Sequence, residues 1–520
     1  MNDNGTKLKA LTTRGILLAI LSGLMLTASF PPGKFSFLAW VALVPLLVSV
    51  DRASPSLAFR LGFVAGAAHF TTLMYWIVMV LGHYGNMNAI VSLGPFFLLC
   101  FFLALYPALF SMLTTCLKDS RFEVILMASF WVSLEYIRGV FLTGLPWCLL
   151  GYSQYEHLHL IQVADITGVY GVSFLIVLFN GLIFHLLFKG KEKGRGVLKR
   201  ESLIIALAAA VAVAYGSFRL SQGLPGGDAP TLLRTAVIQP NIDQSVKWDP
   251  TYQSKTMSIY EGLTRSSYGF RPELIVWPEA ALPFFFQNNA KFAPRVFSLA
   301  EESGALLIFG SPAYKRAGRT TRYYNRAYLI GRENKPPQHY DKVHLVPFGE
   351  YVPFKSLLSF VNRLVPAAGD FASGHAKGPM RHGELSPGVI ICFEAIFPDL
   401  ARAHARGGAK ILVNMTNDAW FGMSSAPHQH LSMAAFRAVE NKRPLVRAAN
   451  TGISAFIDAH GKIVLRGSLF TRETLKASVN VTQSPFTFYT RFGDIFAFLL
   501  LAFSSIKLLS FFWHRKNAKP

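Results

Sequence analysis

Cysteine is scarce in this sequence. Cys100, Cys116, Cys148 and Cys392 are the only four in 520 residues, and their spacing outlines neither a disulfide framework nor a zinc site. His428-Gln-His430 is too small a cluster to hold a metal by itself, so neither a metal nor a cofactor is expected. Charge is scarce as well. Asp, Glu, Lys and Arg make up 15% of the chain while 52% is hydrophobic, too apolar for a soluble protein of this length. Acidic residues are the rarer sign, 29 against 51 basic ones, which leaves a formal charge of +22. That balance would suit nucleic acid, but there is no finger spacing, no recognition-helix pattern and no dense basic tail. Much of the positive charge sits in short loops beside apolar runs, where it orients a membrane protein. Internal repeats and low-complexity tracts are missing too. The length calls for more than one domain.

The apolar excess is uneven. Runs at about 15–30, 36–50, 57–81, 89–115, 122–141, 167–188, 201–217 and 493–513 are each near the length that crosses a hydrocarbon core, the second being short. The first is not read as a signal peptide, because no small-x-small cleavage site follows it and more spans come after. Lys7, Lys9 and Arg14 precede the first run. Arg52 and Arg60 follow the second, Lys118 and Arg121 the fourth. Lys189, Lys191, Lys193, Arg195, Lys199 and Arg200 follow the sixth, and Arg515, Lys516 and Lys519 form the tail. The alternate loop 82–88 carries no Lys or Arg. The positive-inside rule therefore expects both termini in the cytoplasm of a multi-pass protein of the bacterial inner membrane. Residues 220–490 then face the periplasm. The expected domains are a seven-span membrane domain over 1–220, an aqueous domain over 230–485 and a last transmembrane helix over 490–513. The loop 142–165 is semi-apolar and aromatic. Its Trp147, Tyr152 and Tyr155 suit the membrane interface, either as plain anchors or in contact with substrate.

From residue 232 short β-rich runs alternate with helical segments, the pattern of a layered α/β domain. Strands are expected at 233–239, 274–277, 305–310, 322–330, 389–391, 411–415, 445–448 and 454–458, and helices at 253–266, 292–303, 397–406 and 428–441. Asp458-Ala-His-Gly461 is a hairpin turn signal.

Three residues of this domain stand where chemistry is expected. Cys392, its only cysteine, ends the buried run Gly388–Ile391 and opens a turn or short helix. Free N–H groups there favour a thiolate and suit an oxyanion, although a free cysteine is more often a small buried hydrophobe. Glu279 follows the apolar run Leu-Ile-Val-Trp-Pro. A carboxylate at that strand end fits a general base, or simply an acid at a helix start. Lys342, in Tyr340-Asp-Lys-Val-His-Leu-Val-Pro-Phe-Gly-Glu350, fits a fixed cation for a thiolate or oxyanion, or an ordinary surface lysine.

Taken together, the motifs resemble the carbon–nitrogen hydrolase (nitrilase) superfamily over residues 232–485. WPEAALP is similar to its glutamate motif, YDKVHLVPFGEYVPF to its lysine motif and GVIICFEAIFPDLAR to its cysteine motif. The stretch RAVENKRPLVRAANTGISAFIDAHGKIV is similar to the downstream strand and turn. With the spans added, nearly the whole chain resembles the apolipoprotein N-acyltransferases, membrane enzymes that complete bacterial lipoprotein maturation. Gly144-Leu-Pro-Trp-Cys-Leu-Leu-Gly-Tyr152 is similar to that family's Gly-Phe-Pro-Trp…Gly-Tyr segment, with Leu145 in place of Phe. Gln239-Pro-Asn-Ile-Asp-Gln…Lys247-Trp248 and Asn417-Asp418-Ala-Trp420-Phe421 are similar to two further segments.

The resemblance implies a multi-span helical membrane domain plus a nitrilase-like α-β-β-α sandwich. It implies a Glu279–Lys342–Cys392 triad and a ping-pong transfer. Cys392 takes an acyl chain from a membrane phospholipid as a thioester, then yields it to the α-amine of a diacylglyceryl-cysteine apolipoprotein. Glu350 and Glu394 match further acids of the family. Trp248, Trp420, Asn417 and Trp147 match positions expected to meet substrate. Phe393 stands where many members have Tyr, so any role of that hydroxyl is absent here. A monomer without nucleic acid is expected.

Since both substrates are lipids, apolar loops at 282–289 and 357–369 are candidate lids, or else interior packing. Two rivals stay open: a membrane-anchored amidase acting on a soluble substrate, and a transporter with a regulatory domain. The scarcity of internal charges counts against the latter, since Arg60, Glu123, Glu135 and Arg138 fall near run ends.

Overall fold

The structure is a computed structural model, and it describes residues 3–84, 88–116, 122–189, 195–224, 229–331, 336–353, 370–375 and 378–517. The chain forms two compact units. One comprises Met1–Val78, Ile90–Ser221 and Phe492–Pro520, the other Met79–Ala89 and Gln222–Arg491.

The first unit is helical. Among the described residues five helices are long and apolar enough to cross a membrane: Ile90–Cys116, Glu123–Thr143, Val169–Lys189, Glu201–Ser221 and Ile495–His514. A sixth candidate, Pro55–Leu73 with Trp76–Gly82, is bent by 49°. The runs at 15–30 and 36–50 are helical but shorter, as Thr13–Ala28 and Ser36–Val50. By length and composition the described residues thus hold five or six helices fit to span, with two shorter apolar helices besides. Close helix approach explains part of the packing. A Cβ on Gly23 would lie 2.3 Å from the Ala65 carbonyl oxygen, so only glycine lets Asp3–Ala28 and Pro55–Leu73 meet there.

Glu135 and Arg138, near the end of the helix Glu123–Val140, are both buried. Glu135 Oε1 accepts the Leu150 N–H at 2.7 Å and so pins the loop after its helix. Trp147 and Tyr152 are buried at 2% and 0% exposure, and Trp147 packs on Trp76 with ring centroids 5.0 Å apart. They are core residues of this unit rather than interfacial anchors.

The second unit is a four-layer α-β-β-α sandwich. The first sheet has the order β11-β1-β2-β3-β4-β5 and the second β10-β9-β8-β7-β6. The strands are β1 (Leu232–Gln239), β2 (Leu274–Val276), β3 (Leu306–Ala317), β4 (Thr320–Ile330), β5 (Gln338–Asp341), β6 (Pro387–Ile391), β7 (Ile411–Thr416), β8 (Leu445–Ala449), β9 (Ala455–Ile457), β10 (Ile463–Arg466) and β11 (Glu473–Asn480). Alternation along the strands builds the layers. Val237, Val276 and Ile308 face Ile391, Val413, Met415 and Val446 between the sheets. Ala236, Ile275, Leu307 and Phe309 pack on the other face against Met257, Tyr260, Val296 and Leu299 of the helices Gln253–Arg265 and Ala293–Ser303. Helices Pro398–Arg406 and Ala426–Asn441 cover the second sheet. The turn at Asp458 closes the β9–β10 hairpin, with the Gly461 N–H on the Asp458 carbonyl at 3.0 Å.

The loop 282–289 is not a lid. Leu282, Phe284 and Phe286 belong to the helix-side core, and of the large apolar residues only Phe285 reaches appreciable exposure, at 38%. The other candidate lid, 357–369, lies outside the described residues.

Candidate active site

β6 is buried along its whole length and delivers Cys392 to a tight turn. Cys392 has φ 52°, the left-handed region that costs a non-glycine residue about 1–3 kcal/mol and persists only where surroundings enforce it. The 3-10 turn Cys392–Ile396 follows at once. The thiol is 8% exposed. Burial first, then the Glu279 charge, push its pKa well above the ordinary thiol value, against the pull of Lys342. The resting group is therefore a thiol, and attack requires a base to remove its proton as the bond forms.

Glu279 is positioned just past β2, after Trp277 and Pro278. It is 7% exposed. Its Oε2 accepts the Asn417 N–H at 2.9 Å, and its Oε1 accepts Asn325 Nδ2 at 2.7 Å. Lys342 Nζ stands 3.5 Å from the same Oε1. Lys342 immediately follows β5 and its own N–H is held by the Asn325 carbonyl at 2.9 Å. Its Nζ is 2.9 Å from Glu350 Oε1. Burial opposes the ammonium charge, but Glu350 and Glu279 outweigh it and hold the lysine above its ordinary pKa. Lys342 is thus a lasting cation. Glu350 is braced in turn by Asn325 Nδ2 at 2.9 Å and by the Val346 N–H at 2.8 Å.

Glu394 is fully buried. Its Oε2 accepts the Ile391 N–H at 2.6 Å. Its Oε1 accepts the N–H groups of Val343 at 2.6 Å and His344 at 3.0 Å, and the Tyr340 hydroxyl at 3.0 Å. Burial raises its pKa to about 7 despite these donors. It laces the lysine loop to the cysteine turn. The Phe393 ring packs near Phe397, with centroids 5.2 Å apart.

The structure brings Glu279, Lys342, Glu350 and Cys392 into one electrostatic cluster. Asn417 joins it through its backbone, while its side chain bonds Gln244 at 2.8 Å and Asn450 at 3.0 Å. Trp248 is 47% exposed and Trp420 half-buried. Trp147 lies in the helical unit, described above.

Sequence reasoning missed Asn325 and Lys247 as site residues. Lys247 is 1% exposed, and its Nζ donates to the Glu279 carbonyl at 3.4 Å. Burial lowers its pKa to about 8, against the pull of Glu279 and Cys392. Asn325 sits mid-strand in a run that reads as polar and solvent-facing, and it carries no spacing signal.

The arrangement can do covalent acyl chemistry: a thiol at a strained elbow, a carboxylate to take its proton and a fixed cation beside both. Residues 22–182 match the family model for the apolipoprotein N-acyltransferase N-terminal domain, and residues 234–484 match the carbon-nitrogen hydrolase model. The chain is 46% identical over 503 residues to the apolipoprotein N-acyltransferase of Geobacter metallireducens, covering 96% of this chain and 95% of that protein. It is 33% identical over 515 residues to that of Methylococcus capsulatus, covering 97% of each. Among solved structures, Nit3 of Saccharomyces cerevisiae, a member of branch 10 of the nitrilase superfamily, is 19% identical. That match covers 48% of this chain and 91% of the other, with a TM-score of 0.38.

Proposed function

The chain belongs to the apolipoprotein N-acyltransferase family, which makes it an N-acylating enzyme of lipoproteins, and from that premise we propose that the acyl group passes through Cys392. The observation that carries the proposal is the meeting of Glu279, Lys342 and Glu350 beside a thiol held at positive φ.

In the first half-reaction Glu279 accepts the thiol proton as Cys392 Sγ attacks the ester carbonyl of a phospholipid. The new C–S bond leaves an oxyanion, which the Lys342 ammonium and the Phe393 N–H stabilise. Collapse breaks the C–O bond. The departing lysophospholipid oxygen takes the proton back from Glu279. In the second half-reaction the α-amine of a diacylglyceryl-cysteine N-terminus attacks the thioester. Glu279 takes a proton from the nitrogen, the oxyanion forms again and collapses, and Cys392 leaves as a thiolate that recovers the proton. The product is an amide. Splitting the transfer in this way lets each substrate enter and leave alone.

Five or six helices apolar and long enough to span, among the described residues, support a membrane enzyme. The charge distribution of the loops supports a topology with both termini cytoplasmic and residues 222–491 periplasmic. Acyl donor and acceptor would then both be outer-leaflet lipids of the inner membrane. Trp248, exposed beside the site's loops, is proposed as a lipid contact, with Trp420 as a second. The membrane-tethered amidase reading finds no use for so many apolar helices.

Initial rates with varied phospholipid and varied diacylglyceryl-cysteine peptide test the two-step scheme. Parallel double-reciprocal lines are expected, and loss of all transfer in Cys392→Ala. Converging lines would contradict it, because they require both substrates bound at once.

A further inference from the structure

Behind the turn that carries Cys392 lies a closed polar network with no part in the steps above. Strand register explains its place. Ile390, Asn414 and Arg447 are partners across β6, β7 and β8. Their neighbours Ile391, Val413, Met415, Val446 and Ala448 fill the core between the sheets. By alternation Asn414 and Arg447 point the opposite way, toward the helix Ala426–Asn441 that carries His430. Asn414, His430 and Arg447 are 0% exposed and Asp418 1%.

The contacts close on one another. Arg447 Nη2 donates to Asp418 Oδ2 at 2.6 Å and lies 3.1 Å from His430 Nδ1, while Nη1 donates to Asn414 Oδ1. His430 Nδ1 is also 3.2 Å from Asp418 Oδ1, which accepts the Thr416 hydroxyl at 2.8 Å. His430 Nε2 lies 3.1 Å from the Cys392 carbonyl oxygen. Asn414 Nδ2 reaches that oxygen at 3.5 Å and the Ile390 carbonyl at 3.1 Å. A carbonyl only accepts, so Nε2 bears the proton. Nδ1, beside the Arg447 donor, is then the acceptor, and the ring is the neutral Nε2–H tautomer.

The consequence lies in the peptide plane. In a trans peptide the carbonyl and the following N–H point in opposite directions. With the Cys392 oxygen drawn toward the helix layer, the Phe393 N–H is turned away from it, toward the inter-sheet side where the first sheet, whose β2 and β5 lead into Glu279 and Lys342, packs. Lying in the first turn of Cys392–Ile396, that N–H has no acceptor within its own helix. A flipped plane would instead aim the carbonyl oxygen at the developing oxyanion.

We infer that His430, oriented through Arg447, which Asp418 holds in turn, is a positioning residue that locks the Cys392–Phe393 peptide so that the Phe393 N–H serves as an oxyanion donor in both half-reactions. The inference rests on Cys392 being the nucleophile.

Two near-isosteres of His430 separate this from mere support of the core. In His430→Gln the amide nitrogen falls where Nε2 stood and still meets the Cys392 carbonyl. In His430→Asn it falls where Nδ1 stood and does not. Acyl transfer and Cys392 alkylation by iodoacetamide are measured on both. Alkylation builds no oxyanion, so its rate stays within about threefold of the parent in either variant. Transfer falls about 100-fold in His430→Asn, the usual cost of a lost oxyanion donor, with KM little changed, and stays within about tenfold of the parent in His430→Gln. Equal activity of the two variants would overturn the inference, as would alkylation falling in parallel with transfer. If complete alkylation of Cys392 in the parent enzyme leaves transfer intact, the nucleophile assignment itself fails, and that result is separate from the other two.

Discussion

Lys342 Nζ stands 2.9 Å from Glu350 Oε1, nearer than the 3.5 Å that separates it from Glu279 Oε1. The ammonium is therefore held mainly by Glu350, to which the proposed mechanism assigns no proton transfer. Glu279 is thereby spared the tighter of the two ion pairs. Glu350→Gln removes the stronger hold while leaving the shape intact. Its kcat is expected to fall about 10- to 100-fold, the usual cost of a misplaced catalytic group, with KM nearly unchanged. Steady-state kinetics check this, and a variant as fast as the parent would show that Glu350 does not set the lysine.

Gly310 guards the backbone of Glu279. A Cβ there would lie 2.4 Å from the Ala280 nitrogen and 2.9 Å from the Glu279 Cα, and backbone cannot swing aside as a side chain can. Gly310→Ala is expected to fold with a lowered melting temperature and to lose at least about 100-fold in kcat through displacement of the carboxylate. Retained activity would mean that the glutamate turn tolerates movement.

Glu394 gives a pH signature. Its folded pKa is raised from 4.5 to about 7, chiefly by burial. The unfolded chain gives up the proton first, so the stability this group contributes is full below pH 4.5 and is lost as pH rises through about 7. In detergent, the melting temperature of the parent is expected to fall between pH 5 and pH 8 relative to that of Glu394→Gln. A difference that stays flat, or that grows in favour of the parent, would contradict this.

Topology is checked by labelling. The Glu384 side chain is fully exposed, and a membrane-impermeant maleimide should reach Glu384→Cys in intact spheroplasts. Asn4→Cys should react only after permeabilisation. The reverse pattern would place the catalytic unit in the cytoplasm.

Much of this was legible in the sequence, for physical reasons that also mark where legibility ends. The apolar runs announced their helices and showed 36–50 to be short, yet hydropathy could not tell that the 57–81 run is bent. Strands with buried faces, such as Ile411–Thr416, were visible as β-branched runs. β5, β10 and β11 were not. QHYD is short and polar, β10 is largely exposed, and β11 mixes charged and polar residues with its few buried ones. The triad motifs stood at strand ends, where α/β chemistry gathers. The residues bracing them were hidden, because Asn325, Lys247 and His430 look like surface residues until the fold buries them. One signal was present but unused: Asn414 and Arg447 interrupt otherwise apolar strands, and a polar side chain there must find partners in the interior.

The account stands most directly on a thioester at Cys392. Intact mass spectrometry of the purified protein after incubation with phospholipid alone would read it. The predicted result is a gain of one acyl chain that is absent in Cys392→Ala, is discharged by a diacylglyceryl-cysteine peptide, and reappears on that peptide. Acylation of the peptide with no adduct ever carried by Cys392 would contradict the account.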